Sequence, residues 1–286
     1  MGVFWQSAYT ETMNTPHDST LGRETPWPTT YDPSLLFPIA RAPARSELAL
    51  GAALPFTGVD VWNAYELSWL GPDGKPRIAL ARFDVPAESP NLIESKSFKL
   101  YLGSFAAATM PDAAALQACL ERDLAAVAAA PVTVVLTTPG EFATLRIETL
   151  SGECIDNTPV TITDYGPPQA AYLRADAACP VSETLVSRLF KSNCPVTGQP
   201  DWASVQVAYA GPRIDRAGLL RYLISFREHT GFHEQCVEQI FCDLQARCQP
   251  STLTVYARYT RRGGLDINPW RSTHAATPPN PRLARQ

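Results

Sequence analysis

At 286 residues and 45% hydrophobic content, the chain is long enough for one large domain or two ordinary ones around a sizeable core. A net charge of −4, with no long run of Lys or Arg, leaves no phosphate-backbone footprint and argues against nucleic acid as a direct partner. No basic segment followed by an apolar run opens the chain, Gln6 stands where a myristoylation signal needs Ser or Thr, and nothing approaches the roughly 18 apolar residues of a membrane span. The reading is a soluble cytoplasmic protein with no membrane partner.

Residues 1–48 carry Pro16, Pro26, Pro28, Pro33, Pro38 and Pro43 without a sustained period, which predicts an irregular lead-in wrapped over the surface. Residues 59–70 alternate as a strand, 71–75 read as a hairpin turn, and 77–85 as the partner strand. Helical patterns follow at 94–107 and 112–129, then strand patterns at 132–138 and 142–150. The order is β-β-α-α-β-β. The second half repeats it: strands at 181–190 and 204–209, helices at 216–227 and 232–248, and a strand at 251–259 continuing into 265–268.

The two helix pairs lie over one another in register, with Tyr101, Phe105 and Asp123 matching Tyr222, Phe226 and Asp243. An α+β chain of two tandem modules is predicted, each an antiparallel sheet with two helices on one face. The lead-in spans 1–48, the modules 49–155 and 156–273, and a loose, Pro-rich tail 274–286.

Seven cysteines form no CxxC pair and their number is odd, so neither a disulfide scaffold nor a zinc ribbon is indicated. Cys119, Cys236, Cys242 and Cys248 fall in helical stretches and read as small buried hydrophobes. Cys194 differs: it sits in the turn Ser192-Asn-Cys-Pro-Val-Thr-Gly-Gln-Pro-Asp201, near Lys191, where a cation favours thiolate. It reads either as a nucleophile or as an idle thiol. Asp201 reads either as its proton-handling partner or as a turn cap. The halves also differ where they should match. Only the first opens its first helix with Glu94-Ser-Lys-Ser-Phe-Lys99, and only the second opens its second with Phe232-His-Glu234. A complete pocket therefore needs one half against the other, within a chain or between chains.

Four motifs in order, Glu94 to Tyr101, Ser192 to Asp201, Phe232 to Glu234 and Arg261-Arg-Gly-Gly264, resemble the long, two-module form of the NADPH-dependent 7-cyano-7-deazaguanine reductases, the nitrile reductases of queuosine biosynthesis. The resemblance spans about 31–270. It implies tandem tunnelling-fold (T-fold) modules, the architecture of GTP cyclohydrolase I, assembled here as a homodimer. It implies reduction of 7-cyano-7-deazaguanine to the aminomethyl base with two NADPH per turnover and no metal. By the same resemblance Cys194 is the nucleophile that forms a covalent thioimide and Asp201 the proton donor. Ile93, Glu94, Ser95, Phe232, His233 and Glu234 hold the base, while Ser95, Lys96, Arg262 and Gly263 hold the cofactor. No GxGxxG follows a strand, so a Rossmann site is disfavoured. Two alternatives stand beside this: a purine- or pterin-binding protein of the same fold without reductase activity, and a zinc-dependent cyclohydrolase using His229, His233 and Cys236.

Overall fold

The structure, a computed structural model, describes Thr15, Asp18, Ser19 and residues 26–286 except Ala52. Within the lead-in, a strand β1 (Pro38–Ala40) and a short helix α1 (Ala42–Glu47) form where the sequence predicts no element. Three residues carry no readable period; β1 exists because it pairs with Asn91–Ile93, placing Ile39 opposite Leu92.

The first half then follows expectation through its helices. Strands β2 (Thr57–Leu70) and β3 (Pro76–Pro86) form a hairpin whose turn uses Gly74 at φ +72, a conformation open to glycine without strain. After β4 (Asn91–Ile93) come α2 (Ser95–Gly103), α3 (Ala113–Ala128) and β5 (Thr133–Thr137). Glu94 caps α2 by accepting the Lys96 and Ser97 N–H groups at 2.6 and 2.7 Å, and Asp112 caps α3 through Ala115 N–H at 2.8 Å.

The predicted strand at 142–150 is not there. Pro139–Thr144 make a 3-10 turn, fixed where the Glu141 carboxylate accepts the Thr138 N–H at 3.0 Å. Only β6 (Ile147–Glu148) remains extended. Leu145 and Ile147 stay exposed.

Past β7 (Glu153–Cys154), the second half builds β8 (Ala175–Asn193), β9 (Pro200–Ile214), α4 (Arg216–Ile224), α5 (His233–Cys248), β10 (Thr252–Tyr259) and β11 (Leu265–Ser272). The single strand expected to run from 251 into 268 instead reverses at Gly263 and Gly264, both at positive φ, so β11 returns antiparallel to β10. That reversal joins the halves. β11 also pairs with β2, from Leu265 opposite Ala64 to Ser272 opposite Thr57. One eight-stranded sheet results, in the order β5-β3-β2-β11-β10-β9-β8-β7, antiparallel throughout except β7 with β8.

Each half keeps its own core. Trp62, Phe83, Phe98 and Leu120 pack together in the first, and Phe190, Val207, Phe226 and Phe241 in the second. Each such fully buried side chain contributes about 1.5–3 kcal/mol. The same local device recurs in both. Tyr101 donates to Asp123 at 2.7 Å and Tyr222 to Asp243 at 2.6 Å, while Ser104 and Ser225 donate to the carbonyls of those tyrosines. Phe105 and Phe226 meet the tyrosine rings edge-on, at 87° and 88°. The chain is thus a mixed α+β protein built on one large, mainly antiparallel sheet.

Residues 274–286, expected to be loose, lie on the sheet face that carries Tyr256 and Arg258. Their short strand β12 (Arg282–Leu283) pairs with β6. The Gln286 carboxamide donates to Tyr259 O and Asn268 Oδ1, both at 2.9 Å, and accepts from Arg258 Nε at 3.0 Å. Arg258 is consequently buried rather than solvated. Polar anchors and one buried apolar side chain, Leu283 packed with Tyr256 and Trp270, carry this docking, and a single leucine makes no readable period.

Candidate active site

Cys194 sits at the tip of the β8–β9 hairpin, where Ser192 pairs with Asp201 and Asn193 with Pro200. The tip is cinched: Cys194 N–H donates to Gln199 O at 2.9 Å, and Gly198 N–H returns to Cys194 O at 3.0 Å. A second tie, Asn193 N–H to His229 O and Gly231 N–H to Asn193 O, fastens the tip to the turn that starts α5. The thiol side chain is 4% exposed and held against that helix start.

Asp201 faces inward between Arg262 and His233. Arg262 Nε lies 3.0 Å from Oδ1 and His233 Nε2 lies 3.3 Å from Oδ2. The His233 ring stacks on Tyr259 at 3.7 Å and 5°, which sets its plane, while Nδ1 is buried with no hydrogen-bond partner among the described residues. Arg262 also donates to Gln199 Oε1 at 2.6 Å, so one guanidinium steadies both the hairpin tip and its aspartate.

Glu234, the next residue of α5, is 4% exposed and enters no ion pair among the described residues. Burial pushes its carboxyl up to about 7; Asp60 adds to the rise, and His233 and Arg41 oppose it. It accepts a hydrogen bond from its own backbone N–H, and a buried carboxylate has further acceptor sites to offer a ligand in the cleft that Cys194 also lines.

These side chains share one cleft. Cys194, Asp201, Phe232, His233, Glu234 and Arg262 line it from the second half, and Ile93 and Ser95 from the first. The cleft forms within a single chain, at the β2–β11 junction. Of the other expected site residues, Glu94 caps α2 through its carboxylate, and Lys96 and Gly263, expected at the cofactor, lie outside the lining of this cleft, Gly263 in the β10–β11 turn.

Sequence reasoning missed four wall residues, Ile39, Trp62, Leu92 and Ile267, and one cation, Lys99. A Cβ added at Gly263 would stand 3.2 Å from Lys99 Cδ, so α2 crosses directly onto that turn. Burial lowers the Lys99 ammonium, Arg262 lowers it further, and Glu94, Asp201 and Cys194 pull the other way, so all four lie in its electrostatic range. Lys191, expected to be the cation beside the thiol, instead donates to Asn193 Oδ1 and Arg227 O at 2.6 Å each. Helical spacing held the missing signal, since Ser95 and Lys99 are one turn apart on α2.

Among the described residues, no three His, Cys, Asp or Glu side chains stand where they could hold one metal ion, and His229, His233 and Cys236 do not form such a set.

A family model for the nitrile reductase, 7-cyano-7-deazaguanine-reductase N-term, matches residues 27–136, and one for QueF-like protein matches 200–278. The chain is 61% identical over 268 residues to the NADPH-dependent 7-cyano-7-deazaguanine reductase of Stenotrophomonas maltophilia strain R551-3, covering 93% of this chain and 97% of that one. It is 59% identical to the Bordetella avium reductase of the same name, covering 94% and 98%, and 56% identical to that of Burkholderia multivorans, covering 95% and 99%. A crystal structure of the archaeosine synthase QueF-Like in the apo form aligns with 34% of this chain and 96% of that one at 18% identity, with a TM-score of 0.30, too slight to bear on the argument. Identity of this degree over nearly the whole length, together with a cleft that gathers the motifs from both halves, establishes that the chain belongs to the family of NADPH-dependent 7-cyano-7-deazaguanine reductases.

Proposed function

We propose that this chain reduces the nitrile of 7-cyano-7-deazaguanine to the primary amine with NADPH, through a covalent adduct on Cys194. The observation that carries the reading is the convergence of Cys194, Asp201, His233 and Glu234 in one cleft walled by Ile93 and Ser95 of the other half.

A nitrile carbon accepts hydride poorly, and addition of a thiol changes that. The Cys194 sulfur bonds to the nitrile carbon, one C–N π bond breaks, and the thiol proton passes through the Asp201 carboxylate to the nitrogen, giving a thioimide. Asp201 suits this shuttle because Arg262 and His233 hold its two oxygens apart, so it can take a proton and give it up without turning. Glu234 accepts from the N1–H and 2-amino group of the base as a two-point acceptor, and Phe232 and Ile93 supply apolar walls. When bound, NADPH supplies hydride, two being needed to take a nitrile to an amine. The sulfur leaves after the carbon is first reduced, and the buried walls keep water from the resulting imine.

The residues present fit an anionic dinucleotide. Lys99 and Arg262 put two cations beside the Gly263 turn, whose backbone is bare of a side chain where α2 approaches. Ser95 and Lys96 open the helix on the same side.

The same reading takes 49–155 and 156–273 as tandem T-fold modules; the duplicated Tyr–Asp bonds support it, with the first module adding only β5 to its own side of the sheet after its helices. From the family resemblance it carries a homodimer, a cytoplasmic setting and a reaction needing no metal.

Mixing the protein with the nitrile base without cofactor should add the whole mass of the base, and Cys194→Ser should show no gain, by intact-protein mass spectrometry. Tight binding with no mass gain would instead favour a binding protein of the same fold.

The pH dependence of base binding follows from Glu234. Its acceptor form is the carboxylate, so protonation competes with the base. In Cys194→Ala, where binding is reversible, the Kd should weaken about tenfold per pH unit below about 7 and level off above it. Calorimetric titration showing a flat Kd across this range would remove Glu234 from base recognition.

A further inference from the structure

Three carboxylates crowd the start of α5. Glu234 and Glu238 lie one turn apart on the helix, and Asp60 of β2 faces the same space, each almost wholly buried. Three guanidiniums answer them. Arg271 of β11 bridges Asp60 Oδ1 and Glu238 Oε1 at 2.8 Å each. Arg45 of α1 holds Glu238 at 2.9 and 2.7 Å. Arg41, also from the lead-in, donates to Asp60 Oδ2 at 2.5 Å and to Ser89 Oγ at 3.2 Å, and stands 3.9 Å from Glu238. With Glu234 ionised, three positive charges meet three negative ones. Arg271 and Arg45 answer Glu238, and Arg271 and Arg41 answer Asp60, so the cluster holds one positive charge beyond those two carboxylates to offset Glu234, and Arg41 is the guanidinium that acts on it.

The charged groups acting most strongly on Glu234 are Asp60, His233 and Arg41; Cys236 of the same helix and Tyr259 of β10 lie within its electrostatic range, Glu238 stands one turn on, and of all these only Arg41 carries a permanent positive charge. The backbone supports the same conclusion. Arg41 N–H donates to Pro90 O at 3.0 Å, which continues the β1–β4 pairing that puts Ile39 and Leu92 in the cleft wall. The lead-in thus brings an apolar wall and a cation to the same site.

We propose that Arg41 is a positioning residue for Glu234, pinned by Asp60 and Ser89 so that its guanidinium offsets the neighbouring carboxylates and leaves Glu234 free to take the two donors of a guanine-like base. The proposal rests on the reading of Glu234 as the base-recognition group. It makes the lead-in part of the substrate site rather than a surface wrap.

The experiment is calorimetric titration of the nitrile base from pH 6 to 9 in the Cys194→Ala parent and in that parent carrying Arg41→Met, Asp60→Asn or both. Arg41→Met should weaken binding about tenfold at pH 7, and the loss should vanish by pH 9, where Glu234 ionises without help. Asp60→Asn removes the opposing charge and should shift the profile to lower pH. The double variant should return to within about threefold of the parent at every pH. A pH-independent loss in Arg41→Met would mark a packing defect and overturn the proposal, as would no loss. Should Arg41→Met fail to fold, an unmoved profile in Asp60→Asn alone overturns it. A flat profile in the parent condemns the base-recognition reading of Glu234 itself and is thereby told apart from failure of the Arg41 step.

Discussion

Replacing Cys194 with alanine is expected to lower turnover by on the order of 10⁴-fold or more while leaving noncovalent base affinity within about threefold. The asymmetry follows from the geometry. The groups assigned to binding, Glu234, Phe232 and Ile93, belong to α5 and to β4 with its neighbours, none of which depends on the thiol for its position. The hairpin tip is closed by backbone bonds to Gln199 and to the 229–231 turn, so the loop keeps its shape when sulfur is removed. Asp201 and His233 remain, but with no thiol there is neither a proton to shuttle nor a bond to make the carbon accept hydride. Cofactor oxidation followed by absorbance, beside calorimetry with the base, measures both quantities. Turnover retained within about tenfold of the parent enzyme would refute covalent catalysis at this residue.

Arg271→Met is expected to cost about 3–5 kcal/mol of stability, a large share of the roughly 5–15 kcal/mol that holds a typical fold. Arg271 is wholly buried, bridges Asp60 and Glu238, and donates to the carbonyl of Trp270 at 3.0 Å. Methionine approximates its length but satisfies none of these acceptors. Urea unfolding at neutral pH measures the loss, and a value below about 1 kcal/mol would show that Arg41 and Arg45 suffice alone. The pH dependence has a definite sign. Burial works against ionisation of Asp60 and Glu238, but Arg271 leads the partners that outweigh it and hold both below their usual range. Such groups stabilise above their unfolded values, about 3.9 and 4.3, and that stabilisation is lost as pH falls through the lower folded ones. The gap between Arg271→Met and its parent should therefore close in acid.

Elements with a long period could be read from the sequence because their residues decide them locally. The β2–β3 hairpin alternates over more than ten residues around a glycine turn, and α3 and α5 each run 16 residues with an apolar stripe. The thiol, the aspartate and the His-Glu step could be found because each stands in a motif. What escaped is held by partners remote in sequence. Ile39 and Arg41 acquire meaning only when β1 meets β4 and α5, and Gln286 only when it reaches Tyr259 and Asn268. Lys99 was not singled out, since seeing its place requires knowing which face of α2 crosses the Gly263 turn. The strand expected at 142–150 shrank for a related reason: a 3-10 turn takes 139–144, and only Ile147–Glu148 find a partner, the remote β12.

The pairing of β2 with β11 places two unlike surfaces side by side in a single chain. Where identical copies assemble, every substitution appears on both sides of each junction, so neither side can specialise without altering its twin. Here the start of α2 and the start of α5 are encoded separately. One could drift toward holding a cofactor and the other toward holding a base, and covalent linkage guarantees that each always finds the other at a ratio of one to one.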